Sequence, residues 1–151
     1  DMNDSNCAGS AGRFFAFRLL PGEDLIEGIR DTVRSEGIRA GFVAAAVGSL
    51  SRASLRFAGK PEGTVLDDCF EIVSLSGTAE EGGEHLHASL SDPEGNVVGG
   101  HVLEGCLVRT TMEIILGELP KLQFSREYCP SSTYMELAVH RRITKKGEKT
   151  E

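Results

Sequence analysis

The sequence predicts an α/β domain of the α+β kind: a mainly antiparallel sheet with one principal helix packed on it. Three observations lead there. Apolar residues alternate with polar ones along several short segments, as half-buried strands require. A helical stripe occurs once, at Leu25, Ile26, Ile29 and Val33. The 18 glycines and a hydrophobic fraction of 40% suit a β-rich fold with many turns. At 151 residues one domain is expected, and such a chain buries about 68–70% of its unfolded surface without staples.

Residues 1–12 are small and polar and are expected to be a flexible segment. Arg13 to Leu20 reads as a strand ended by Pro21-Gly22. Asp24 is placed to cap a helix, with Glu27 three residues on as in a capping box and Gly37 suited to the C′ position. Arg30, Asp31 and Arg34 then face outward as solubilising charges. Ala40 to Leu50 is uniformly apolar and short-sided, and flanking glycines favour a buried strand. Ala53 to Ala58 continues it, with Leu55 and Phe57 on one side and Arg56 on the other. Residues 59–63 form a loop without the phosphate-binding glycine pattern. Cys69 to Thr78 is a strand in which Glu71 interrupts apolar residues. A buried carboxylate needs a partner, so Glu71 is a structural acceptor or part of a site. Residues 79–83 are a loop. Cys106 to Leu116 is a strand with Arg109, Thr111 and Glu113 alternating against Val108, Met112 and Ile114. The short Glu104-Gly105 link suggests that it pairs beside the strand of His101. Tyr128 to Thr133 is a loop and Tyr134 to Val139 a last strand.

The segment from Glu84 to Glu104 carries most of the chemistry. Asp92-Pro93-Glu94-Gly95 has the residue order of a type I turn closed by a left-handed glycine, a three-residue hairpin loop. Counting outward from Asp92 opposite Asn96, Leu90 faces Val98, Ala88 faces Gly100 and Leu86 faces Val102. On the alternate positions His87 faces His101 and His85 faces Leu103. Strand side chains alternate faces. One face is therefore apolar, and His85, His87 and His101 share the other. Opposed Cβ atoms stand about 4.5–5.5 Å apart, which lets imidazoles converge on one ion at about 2.0–2.1 Å. A merely wet hairpin face is the other account of these polar residues. Gly99 and Gly100 permit close backbone approach beside His101.

Net charge is −7. Residues 140–151 hold five cations and two carboxylates, net +3, so the remainder carries −10. An acidic body repels phosphate backbones and disfavours nucleic acid. No apolar run approaches the ~20 residues of a membrane span, and the first residues lack the pattern of a secretory signal. The four cysteines are scattered, with no C-x-x-C pair. An intracellular, cytoplasmic or nuclear setting with reduced thiols is expected.

In order, Pro21-Gly22-Glu23-Asp24-Leu25, Phe70-Glu71-Ile72, Ser74 to Thr78, His85-Leu86-His87, Gly99-Gly100-His101 and Thr111-Met112-Glu113 resemble the plant-and-prokaryote-conserved (PPC) domain family, over roughly residues 13–140. The resemblance implies an antiparallel sheet with one main helix, and a homotrimer. Plant members follow AT-hooks in nuclear proteins and serve assembly. Prokaryotic members stand alone. Plant members generally lack the histidines, so this chain is similar to the stand-alone type, and it has no Arg-Gly-Arg-Pro hook. The fold group also includes acetolactate decarboxylase and a zinc-dependent ester hydrolase, both holding zinc with an H-x-H pair and a later histidine. That analogy supports His85, His87 and His101 as ligands of a divalent ion, zinc first.

Two functions are carried forward. In the first, the domain is a zinc-dependent hydrolase or lyase acting on a small carbonyl substrate. Glu71 or Glu113 moves the proton, and Arg56 or Arg109 holds a substrate carboxylate. In the second, it is a non-catalytic homotrimeric interaction module, DNA-associated or regulatory as in plants. The basic segment 141–151 is a solvated tail.

Overall fold

The computed structural model describes residues 7–143. Residues 1–6 of the expected flexible segment and 144–151 of the expected basic tail therefore lie outside the described residues. The part of the N-terminal segment that is described touches the body: Ala8 packs against Ala40, Leu122 and Phe124, and Ser10 Oγ accepts from the Lys121 amide.

Eight strands and one helix follow in the order β1 (Arg13–Leu19), α1 (Leu25–Ser35), β2 (Gly41–Arg56), β3 (Thr64–Glu80), β4 (Gly83–Ser91), β5 (Val97–Val102), β6 (Leu107–Glu118), β7 (Leu122–Cys129) and β8 (Tyr134–Arg141). The α+β architecture is as predicted. Six strands make one sheet in the order β1-β6-β2-β3-β4-β5, and every pairing in it is antiparallel. A further antiparallel pairing joins β5 back to β2, so β2, β3, β4 and β5 form a closed ring of ladders. The β7–β8 hairpin is a separate two-stranded sheet.

The helix forms for the reasons its sequence states. Asp24 accepts from the Glu27 amide at 3.1 Å and Gly37 takes φ +63° just past the end. Its stripe of Leu25, Ile26, Ile29 and Val33 is buried against the sheet. The second Asp24 oxygen accepts from the Gly105 amide at 2.7 Å, which ties the cap to the start of β6. Arg30 is not the idle surface charge expected. It bonds Glu84 on β4 at 2.7 Å and Glu104 in the β5–β6 link at 2.5 Å, clamping the helix over the histidine-bearing hairpin.

Several expectations are corrected. The Ala40–Leu50 segment and the next strand are one continuous β2, and its middle is open on one face, with Val47 57% exposed. The strand expected at Cys69–Thr78 runs from Thr64 to Glu80, so the 79–83 loop shrinks to a tight turn. Strand β6 pairs with β1 and β2, not with β5. Strand β7 was not predicted, and Tyr128 and Cys129 belong to it.

Candidate metal centre

The loop between β4 and β5 has the predicted form. The Asp92 amide donates to Asn96 O at 2.9 Å, the Gly95 amide to Asp92 O at 3.0 Å, and Gly95 has φ +82°. The carboxylate of Asp92 further accepts from the amides of Glu94 and Asn96. This fixes the ladder His87↔His101, Ala88↔Gly100, Ser89↔Gly99, Leu90↔Val98. Leu86, Ala88, Leu90 and Val102 are buried on the inner face, as expected. A Cβ at Gly99 would stand 2.7 Å from Ala88 O, and one at Gly100 2.7 Å from Arg56 O, so both glycines are demanded by neighbouring backbone.

His85 does not face Leu103. It pairs with Thr78 on β3, because β5 turns from β4 to β2 at this level. The convergence survives. The three rings offer nitrogens that all lie within 4.8 Å of one another. Ring centroids are separated by 4.9, 5.3 and 5.7 Å, with interplanar angles between 45° and 79°. Inclined rings can aim lone pairs at one point. The Nε2 atoms of His85 and His87 are 3.2 Å apart. Two nitrogens bound at about 2.0–2.1 Å to a tetrahedral ion stand about 3.3 Å from each other, so this pair already has chelating separation.

The electrostatics suit ligation, since a metal takes neutral imidazole. Burial lowers the His85 pKa first, helped by His87 and Arg126. Burial lowers that of His101 first, helped by Arg56. The three imidazoles thus form a donor set that could hold a divalent ion.

The rings floor an open cleft of about 970 Å³, bordered by Arg56, Lys60 and Tyr134. A smaller hollow of about 250 Å³ shares His85 and His87 with this cleft and is bounded by Arg126, Glu136 and Leu137. Arg126 donates to Thr78 Oγ1 at 3.0 Å, which anchors β7 beside the site.

Of the four other predicted site residues, only Arg56 arrives. It pairs with His101 across β2–β5. Glu71 is exposed rather than buried; it pairs with Ser49 and Ser91, away from the imidazoles, and borders neither hollow. Glu113 sits opposite Arg18 and Val47, in an apolar groove with Phe17 and Ile115. Arg109 is exposed on the same β6 strand and borders neither hollow. Conversely, Lys60, Arg126, Tyr134 and Glu136 border the site and were not anticipated. A signal existed for the hairpin that brings three of them: Leu122 and Phe124 alternate with Gln123 and Ser125.

Residues 7–120 match the Plants and Prokaryotes Conserved (PCC) domain. The chain belongs to this family. It is the family that the motifs resembled. Among curated relatives of this PCC domain is the bifunctional protein GlmU of Synechococcus sp. (strain JA-3-3Ab), 42% identical over 85% of the chain. The match spans 21% of that protein, so the chain covers about a fifth of its length. The AT-hook motif nuclear-localized protein 10 of Arabidopsis thaliana is 36% identical over 72% of the chain and 34% of its own length. A solved hypothetical protein from Salmonella enterica is 46% identical, with a TM-score of 0.89 over 90% of this chain and 99% of that one.

Proposed function

We propose that this PCC domain binds one divalent metal ion, zinc in the first instance, through His85, His87 and His101, and uses it to act as a hydrolase or lyase on a small carbonyl compound. The observation that carries the reading is the gathering of three imidazoles within 4.8 Å on the floor of an open cleft. Three imidazoles with an open fourth position are the arrangement of catalytic rather than structural zinc. A bound ion would supply a water of lowered pKa or polarise a carbonyl oxygen. The protein's own part is positioning. The ladder holds His87 and His101 opposed, Arg56 stands beside His101, and Glu136 is the carboxylate that borders the hollow next to His85. Glu136 takes the proton-moving role first considered for Glu71 or Glu113. Cys69, Cys106 and Cys129 carry free thiols, which supports a reducing, intracellular setting.

The test is metal content of the purified chain, followed by turnover of small esters and 2-oxo compounds with and without chelator. Chelator-sensitive turnover lost in His87→Ala supports the enzyme. Bound metal with no turnover moves the function to the second reading, a homotrimeric interaction module. That reading has its own observation. Phe14, Val47 and Ile115 are 61%, 57% and 40% exposed on adjoining strands β1, β2 and β6, a strip of apolar surface. A DNA-associated role is opposed by the acidic body.

A further inference from the structure

We propose that the larger cleft selects a small organic carboxylate, its charge held by Arg56 and Lys60 while a second oxygen of the same molecule reaches the three imidazoles. The position of the second oxygen rests on the metal reading above. The charge selection does not.

The chain has 23 acidic residues against 16 lysines and arginines. Yet no Asp or Glu is among the described residues that line this cleft, while Arg56, Lys60 and the three histidines all are. Among the described residues Arg13, Arg30, Arg34, Arg52 and Arg142 each meet a carboxylate, whereas Arg18, Arg39, Arg109, Lys121, Arg126 and Arg141 meet none and lie outside this cleft. Arg56 and Lys60 have no such partner among the described residues. Two uncompensated cations beside three imidazoles, in an otherwise acidic body, make a local field that attracts an anion. The backbone places them deliberately. Arg56 is fixed by its pairing with His101. Lys60 is brought over the cleft by a turn in which its amide donates to Phe57 O at 3.1 Å and Gly59 takes φ +72°.

The remaining wall chooses among anions. Phe57, Pro61 and Tyr134 border the same cleft and offer apolar surface to a carbon skeleton. A bare inorganic anion leaves that surface wet. Arginine meets carboxylate and phosphate alike in bidentate geometry, so the apolar wall rather than Arg56 makes the choice between them.

The test uses the full chain, cobalt-loaded or chelator-stripped, titrated calorimetrically with pyruvate, methyl pyruvate and inorganic phosphate. Cobalt absorption reports the metal separately. Pyruvate is expected to bind tightest and to weaken at high salt. Arg56→Gln and Lys60→Gln should each weaken it about tenfold or more, with no effect on the neutral ester. Arg34→Gln removes an equal charge outside the cleft and should change nothing, and circular dichroism verifies that each variant is folded. Equal binding of acid and ester overturns the proposal, as does tighter phosphate binding, indifference to both substitutions, or no pyruvate binding by the folded chain. Should cobalt never bind while Arg56-dependent pyruvate binding persists, the metal reading falls and the anion clamp stands. Should cobalt bind through His87 while pyruvate is ignored, the clamp alone falls.

Discussion

At the scale of single residues, the histidines were legible and most of their neighbours were not. His85, His87 and His101 follow from one alternation and one turn. Glu71, Glu113 and Arg109 were chosen by type, and residue type does not say which hollow a strand borders. Glu136 stayed invisible because its position depends on a hairpin folding back over distant strands. The histidines also make a pH prediction. Burial holds the folded pKa values of His85 and His101 below the ordinary 6.5. Below that value the unfolded chain binds protons that the folded chain refuses, so stability is full above it and erodes as pH falls. Metal-free protein should therefore melt lower at pH 5.5 than at pH 7.5, and His85→Gln should shrink the difference. An unchanged difference in His85→Gln contradicts the assignment.

At the scale of elements, the β4–β5 hairpin was readable because its turn chemistry and its apolar alternation demand the same register. The partner of β6 was not. Its neighbours β1 and β2 are brought in by long-range pairing, which no local pattern records. Gly77 shows how strictly the register is held. It has φ +138°, and a Cβ there would lie 1.9 Å from His85 O. Gly77→Ala should cost about 2–4 kcal/mol, from strain plus displaced backbone, measured by urea denaturation. A cost under about 0.5 kcal/mol would mean that β3 and β4 pair otherwise. Arg30 makes a second prediction. Its ion pairs are partly exposed and screened, so Arg30→Ala should cost only about 1 kcal/mol, while Glu84 and the nearby hairpin lose protection from amide exchange. Unchanged exchange there would remove Arg30 as the clamp between helix and hairpin.

For the whole molecule, the closed ring β2-β3-β4-β5 stiffens the floor of the cleft, whereas β1, β6 and the middle of β2 present bare apolar surface. Light scattering should give a trimer mass, and Val47→Lys should lower it by placing charge on that strip. A wild-type monomer would refute the trimer. The fold class was evident from composition and period; the ring closure was not, because it rests on two residue pairs of β2 and β5. The central claim is the metal. X-ray absorption at the zinc edge, on protein purified without chelator and reloaded to one equivalent, tests it most directly. Three imidazole nitrogens and one oxygen ligand at about 2.0–2.1 Å are predicted, with the signal lost in His87→Ala. Failure to retain zinc, or an unchanged spectrum in His87→Ala, would contradict it.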